Sequence, residues 1–194
     1  MKPESIIKKI LFWQPRQDLF KKVSQHKFGN QFLIITNYAI WFFLFFVSYL
    51  LIKQNVNIFW QLFFATILGE VVEKILKIKS FWKRPLHTNN NTLPNGLLKS
   101  WYEKGSFPSG HTIKAVYFFI LLLQVQVFIT PLWFSIIVAP LLLIRVFLGL
   151  HYPVDVIGGA VIGFLIGTFF SQIQFPLFLL DFIGPIFNFI FFIN

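Results

Sequence analysis

The chain has 194 residues, of which 56% are hydrophobic and only 12% are charged, and its mean hydropathy is +0.70. Because soluble globular domains carry about 25% charged residues, this composition excludes a disordered chain, a polar nucleic-acid-binding domain and most soluble enzymes, and it favours an integral membrane protein. The lack of Cys excludes disulfides and thiolate metal sites, and the net charge of +10 favours contact with lipid headgroups or phosphate.

Residues 1–30 mix basic and apolar side chains. Ile6, Ile10 and Trp13 fall on one face of a helix, and Lys8 and Lys9 lie off that face. The pattern predicts an amphipathic segment that lies on the membrane surface. The alternative is a solvated basic leader that only orients the chain. The basic residues of the segment are Lys2, Lys8, Lys9, Arg16, Lys21, Lys22 and Lys27.

Residues 31–194 contain long runs without Asp, Glu, Lys or Arg and form the predicted transmembrane domain. Pro131 divides one long run into two helices, and Pro176 separates the last two. Since a span needs about 20 mostly apolar residues, the predicted fold class is all-α, a polytopic membrane helix bundle of about six transmembrane helices. The predicted spans are 32–52, 55–76, 111–129, 132–150, 154–173 and 176–193.

Polar and ionisable residues gather at the ends of four of these spans. Such residues are costly near a membrane and usually have a function. Because successive spans alternate in direction, the end of the second, the start of the third, the end of the fourth and the start of the fifth lie on one side of the bilayer. The residues that converge there are Lys77, Arg84-Pro85, Pro108-Ser109-Gly110-His111, Arg145, His151 and Asp155.

The cations and the helix start in this set suit phosphate. Lys77, Arg84 and Arg145 offer three positive charges, and Arg can bind phosphate through two parallel hydrogen bonds. The Ser-Gly-His stretch at 109–111 opens a predicted helix, where free N–H groups and the helix dipole favour an anion. The sequence therefore predicts an anion site with several donors for phosphate oxygens.

The two His residues add the means for group transfer. Asp155 follows His151 by four residues at a helix start, so its carboxylate can hold one imidazole nitrogen and leave the other free as base or nucleophile. With His111, this set suits a covalent phosphoryl transfer, in which one His attacks and the other protonates the leaving oxygen. Three cations can balance the charge on the transferring group, so we predict no metal and no cofactor.

These residues, in this order and spacing, resemble the three-part signature of the type 2 phosphatidic acid phosphatase (PAP2) superfamily. The first part is Lys, six residues and Arg-Pro, the second is Pro-Ser-Gly-His, and the third is Ser-Arg, five residues, His, three residues and Asp. Ile144 stands where the family has Ser, so one hydroxyl is missing, which bears on rate or substrate preference. The matching residues are Lys77 and Arg84-Pro85, then Pro108-Ser109-Gly110-His111, then Arg145, His151 and Asp155.

The resemblance implies a role for each matched residue. His151 would be the nucleophile that forms a phosphohistidine, and Asp155 would orient and stabilise it. His111 would protonate the leaving oxygen and later activate water. The phosphate oxygens would be held by Lys77, Arg84, Ser109, Gly110 and Arg145.

The resemblance also implies a membrane phosphatase that hydrolyses a lipid phosphate monoester or diphosphate, such as phosphatidic acid, phosphatidylglycerol phosphate or an isoprenyl diphosphate. A lipid phosphotransferase would use the same site with another acceptor, and a non-enzymatic lipid-binding protein would need a damaged site. We expect a multi-pass protein of the cell membrane with no nucleic-acid partner. The positive-inside rule puts the site toward the cytoplasm, whereas many relatives face outward.

Some residues outside the signature have open or simpler interpretations. Glu70 and Glu73 either pair with Lys74 or Lys77 or line the depth of the site. His26 and His87 are interpreted as surface residues. The tryptophans are interpreted as lipid-facing bulk and an interfacial belt, and they include Trp41, Trp60, Trp82, Trp101 and Trp133.

Overall fold

The computed structural model describes residues 3–14, 22–23, 26–79, 81–85 and 105–191. These ranges contain no strand, so the predicted all-α class is confirmed. The predictions for Lys2, Arg16, Lys21, His87 and Trp101 lie outside the described residues. The helices are α1 (Pro3–Leu11), α2 (Gly29–Gln54), α3 (Asn57–Ile78), α4 (Gly110–Leu122), α5 (Pro131–Phe147), α6 (Pro153–Ser171) and α7 (Leu177–Phe191).

Two helices in the described part of the chain have the length and apolar composition of a membrane span, at Gln31–Gln54 in α2 and Pro153–Ser171 in α6. Helices α4, α5 and α7 are apolar but shorter, and α3 carries four charged residues in its second half. Helix α4 ends at Leu122 instead of 129, because Gln124 and Gln126 interrupt the apolar run. These helices indicate membrane association.

The outer surface of the bundle is strongly apolar. Phe42 and Phe45 of α2 are 75% and 77% exposed, and Phe164 and Phe169 of α6 are also exposed. Exposed aromatic surface of this extent is unfavourable in water and suits a lipid environment. Inside, a core of mostly branched aliphatic side chains, with contributions from each helix from α2 to α6, includes Ile40, Val47, Leu51, Ile58, Leu62, Ile113, Leu121, Phe134, Val138 and Ile166.

Helices α4 and α6 pack closely because three glycines of α6 are spaced four residues apart. A Cβ atom added at Gly159 would lie 2.6 Å from the Ser109 carbonyl oxygen, and one at Gly163 would overlap the Ile113 carbonyl. At Gly167 it would lie 3.0 Å from the Cα of Tyr117. Small residues at this spacing let helix backbones approach, and here they bring the N-terminal ends of α4 and α6 together.

The opposite end of the bundle is tied by two buried amides of α3. The Asn57 side chain donates to the Ile173 carbonyl at 3.1 Å and accepts from the Phe175 backbone N–H at 2.8 Å. Gln61 donates to the same Ile173 carbonyl at 2.9 Å. These bonds satisfy the backbone between α6 and α7, where a turn would otherwise leave polar groups unpaired in an apolar interior.

Helix α1 packs beside the start of α6. The Phe12 ring contacts Trp82 at 5.1 Å and Tyr152 at 5.3 Å between centroids, and Gln14 donates to the Tyr152 hydroxyl at 3.2 Å. Ile6 and Ile10 remain largely exposed. An apolar face that stays uncovered next to a row of lysines is the arrangement expected of an interfacial helix.

Candidate active site

The turn between α5 and α6 delivers His151 to the site. Leu148 is the C-cap of α5, and Gly149 follows with a φ of 71°. The Gly149 N–H donates to the Val146 carbonyl at 2.9 Å, and the Leu150 N–H reaches back to the Arg145 carbonyl at 2.9 Å. This is the Schellman pattern of helix termination, which needs a left-handed residue and so favours Gly. It reverses the chain directly before His151.

Both ring nitrogens of His151 have defined neighbours. Its Nδ1 lies 3.0 Å from the Ser106 carbonyl oxygen, and its Nε2 lies 3.4 Å from Nη1 of Arg84. A carbonyl only accepts and a guanidinium only donates. The contacts therefore favour the neutral tautomer with the proton on Nδ1, which leaves a lone pair on Nε2 at the side of Arg84.

Burial and nearby charge keep this imidazole neutral. His151 is 2% exposed, and this burial lowers its pKa well below the ordinary value, with Arg84, Arg145 and Lys77 lowering it further. The Ser106 carbonyl opposes the shift in pKa only in part. Because protonation would place another positive charge among three cations, the imidazole of His151 is held in its neutral form.

Asp155 is fully buried and collects hydrogen bonds from three donors. Its carboxylate accepts from the Ser106 hydroxyl, from Trp82 Nε1 at 2.9 Å and from the Tyr152 N–H at 2.7 Å. The carboxylate oxygen Oδ2 is 3.5 Å from His151 Nδ1, farther than the Ser106 carbonyl. Asp155 thus caps α6 and holds Ser106, which in turn contacts His151.

Arg84 is buried beside His151. Its Nη1 atom donates to the Leu150 carbonyl at 2.9 Å while it faces the imidazole. This carbonyl is presented by the turn that follows Gly149, so the first and third parts of the sequence pattern meet directly. The guanidinium is held in place before any ligand arrives.

The N-terminus of α4 also forms part of the candidate site. Ser109 precedes the helix, and its N–H donates to the Asp155 carbonyl at 3.0 Å, which joins the starts of α4 and α6. The Ser109 hydroxyl accepts from Thr112 Oγ1 at 2.9 Å. Gly110 is the first residue of α4 and is buried, and a side chain there would overlap the Glu73 carboxylate.

His111 and Arg145 meet at one residue of α2. Arg145 donates to the Asn37 side-chain oxygen at 3.0 Å, and His111 Nε2 lies 3.4 Å from the Asn37 carbonyl oxygen. The His111 ring also contacts Trp41 edge to face at 5.4 Å. Through Asn37, His111 lies beside Arg145, near the end of α5 and the turn that leads to His151.

Lys77 and both glutamates of α3 form a network with a cation that the sequence analysis did not single out. Lys77 lies in the last turn of α3, not after the helix as predicted, and pairs with Glu73. Lys114, buried one turn into α4, lies 3.3 Å from Glu73 and 2.7 Å from Glu70. Glu73 therefore lies between Lys77 and Lys114.

All eight residues predicted for the site lie in this region, and three residues that the prediction missed complete it. Ser106 and Lys114 were not considered. Trp82 was interpreted as interfacial bulk, which is wrong for this residue because its indole N–H is bonded to Asp155. Closeness in sequence to the signature positions was the available signal, since Lys114 is three residues from His111 and Trp82 is two residues from Arg84.

A protein-family model matches the part of the sequence that forms this site. The PAP2 superfamily model matches residues 58–178, which is more than half of the chain and includes every site residue named in the sequence pattern. The chain belongs to the PAP2 superfamily. No curated protein matches the chain, and no solved structure matches it. Membership of the PAP2 superfamily indicates phosphatase activity on phosphate esters and association with a membrane.

Proposed function

We propose that this PAP2 protein is a multi-pass membrane phosphatase that hydrolyses a lipid phosphate monoester or diphosphate through a phosphohistidine at His151. The observation that carries the proposal is the environment of the imidazole: Nδ1 faces the Ser106 carbonyl, and Nε2 faces Arg84. A neutral His with its free lone pair directed at a phosphate-binding guanidinium is arranged for attack on phosphorus.

In the first step, Nε2 of His151 attacks phosphorus and the bond from phosphorus to the ester oxygen breaks. The bound phosphate anion offsets the nearby cations and lets His111 carry a proton. His111 gives this proton to the departing lipid oxygen, so the lipid leaves as an alcohol, or as a monophosphate when the substrate is a diphosphate. Arg84, Arg145 and Lys77 balance the charge on the equatorial oxygens. The N–H groups at the start of α4 add donors for the same oxygens.

In the second step, water attacks the phosphohistidine. His111, now neutral, takes one proton from this water as the new P–O bond forms and the P–N bond breaks. Inorganic phosphate leaves, His151 returns to its neutral form, and His111 is protonated again. The cycle consumes one ester bond and one water and needs no other reactant.

The apolar surface of the bundle supports a lipid substrate. The site is built from helix ends, and large aromatic side chains are exposed on α2 and on α6. A lipid can keep its tails in the bilayer while its phosphate reaches the charged cluster, and this avoids moving the tails through water. The interfacial α1 helix beside Tyr152 would stay at headgroup level.

A substrate panel on purified protein tests the proposal. Phosphatidic acid, phosphatidylglycerol phosphate and an isoprenyl diphosphate are each supplied in mixed micelles, with and without chelator, and inorganic phosphate is measured. We expect release from at least one of them, unaffected by EDTA and abolished by His151→Ala. Phosphate that moves to a second lipid instead would indicate a transferase, and no turnover of any substrate would refute the proposed activity.

A further inference from the structure

The N-terminus of α4 already contains an anion. The Glu73 carboxylate lies against Gly110, the first residue of the helix, so closely that a methyl group on Gly110 would overlap both carboxylate oxygens. Gly110 is also one of the residues that would bind the substrate phosphate in the proposed function. Glu73 therefore occupies part of the space that a phosphate at this helix start would need.

The same carboxylate engages the cations on either side. One oxygen pairs with Lys77, and the other lies 3.3 Å from Lys114 Nζ. Lys77 and Lys114 side chains are only 16% and 4% exposed. Two ammonium groups with so little exposure need counter-ions when no ligand is bound. Glu73 contacts both of them, and Glu70 is a second carboxylate for Lys114.

A carboxylate in this position competes with phosphate. Both are anions with oxygen acceptors. Glu73 lies against the first residue of α4 and pairs with Lys77, where the positive end of the helix and the ammonium would also attract phosphate. A phosphate dianion brought beside an ionised Glu73 would meet like-charge repulsion. The two anions can therefore be held tightly only one at a time.

We propose that Glu73 is an internal, displaceable anion that fills the phosphate cradle at Gly110, Lys77 and Lys114 and sets its affinity for phosphate. Substrate phosphate displaces the carboxylate from the helix start, and the return of the carboxylate helps to expel the product phosphate. The inference rests on the proposed function for the identity of the ligand. It assigns Glu73 to phosphate affinity and product release, and not to the chemical step.

Glu70 provides a matched control. It lies one turn before Glu73 on α3 and pairs with Lys114 at 2.7 Å, but its side chain is 51% exposed. Glu70→Gln removes the same charge from the same helix and leaves Gly110 and Lys77 with their Glu73 partner. A difference between the two variants therefore reports on occupation of the cradle and not on net charge.

The experiment measures the dissociation constant of inorganic phosphate for the purified full chain in detergent, by calorimetry, and the product-inhibition constant of phosphate in the lipid phosphatase assay. For Glu73→Gln we expect both constants to fall about tenfold or more, because the competing charge is gone. We expect less than about a twofold change for Glu70→Gln, since an exposed charge is well screened.

Unchanged or weaker phosphate binding by Glu73→Gln would overturn the inference, and so would an equal gain in both variants. If Glu73→Gln does not fold, Glu73→Asp decides the question: its shorter carboxylate withdraws from Gly110, so tighter phosphate binding supports the inference and unchanged binding overturns it. The two proposals separate cleanly. Tighter phosphate binding without any lipid phosphatase activity refutes the proposed function alone, and an active enzyme without tighter binding refutes the inference alone.

Discussion

Trp82→Phe should weaken the active site through one lost hydrogen bond. The substitution removes the Nε1–H that donates to Asp155 at 2.9 Å and keeps an aromatic ring between Phe12 and Phe107. A hydrogen bond to a charged group contributes about 1.5–3 kcal/mol, so we expect unfolding free energy to fall by about that amount. Asp155 keeps the Ser106 hydroxyl and the Tyr152 N–H as donors.

The kinetic effect follows from what Asp155 holds. A carboxylate with two donors instead of three positions Ser106 less firmly, and the Ser106 carbonyl sets the tautomer of His151. We expect kcat to fall about tenfold, which corresponds to about 1.4 kcal/mol of barrier. The assays are thermal unfolding in detergent and phosphate release from the preferred lipid.

Trp60→Phe is the control for this prediction. Its Nε1–H donates to the Leu179 carbonyl at 3.1 Å, and it lies toward the opposite end of α3. The variant should lose about 0.5–1.5 kcal/mol of stability, as expected for a neutral hydrogen bond, without loss of kcat. If Trp82→Phe leaves kcat unchanged, or if Trp60→Phe lowers kcat equally, Asp155 does not act through this contact.

Three further predictions follow from the packing and from the buried His. Gly163→Ala should lower the free energy of unfolding by about 1–3 kcal/mol because the added Cβ overlaps the α4 backbone. Gly69→Ala is the control and should be neutral or stabilising by up to about 1 kcal/mol, since the nearest neighbour of its Cβ would be 3.5 Å away. Thermal unfolding of both variants checks this prediction. The pKa of His151 is lowered on folding, so its contribution to stability is complete above the unfolded value of about 6.5 and is lost as pH falls below it. The melting temperature should therefore drop between about pH 6.5 and pH 5, and by less in His151→Asn; equal slopes would contradict the assignment. Phe12→Ala should reduce binding of the lipid substrate by loosening α1 from Trp82, seen as a higher KM, and an unchanged KM would show that α1 does not contribute.

Much of the site was predictable because its residues lie at helix ends, and helix ends have recognisable local sequence signals. Charge-free runs and prolines located the helices, and alternation across the bilayer grouped the polar clusters on one side. The predicted end of α4 at 129 is wrong, because apolar length does not distinguish a helix from an apolar connection. The helix ends at Leu122, before the polar Gln124 and Gln126. Gly149 is a sequence signal for the end of α5, since Gly is typical of the position directly after the C-cap of a helix.

The remaining contacts depend on tertiary packing. The spacing of His151 and Asp155 predicts that the two side chains approach each other, and His151 Nδ1 does lie 3.5 Å from Asp155 Oδ2, although His151 precedes the start of α6 at Pro153. The nearest partner of its Nδ1 is a backbone carbonyl, that of Ser106, and a backbone acceptor carries no sequence signal. The sequence gives Lys114 no distinguishing pattern, and only the packing of α3 against α4 reveals its two carboxylate partners.

The most direct test of the mechanism is to trap the phosphoenzyme. Purified protein is mixed with a lipid substrate labelled in its phosphate, quenched within one turnover in alkali, where a phosphoramidate survives, and digested for peptide mapping. The account predicts label on the peptide that contains His151, absent from a folded His151→Ala variant. Label on another residue, or label that persists in that variant, would contradict the claim that His151 is the nucleophile.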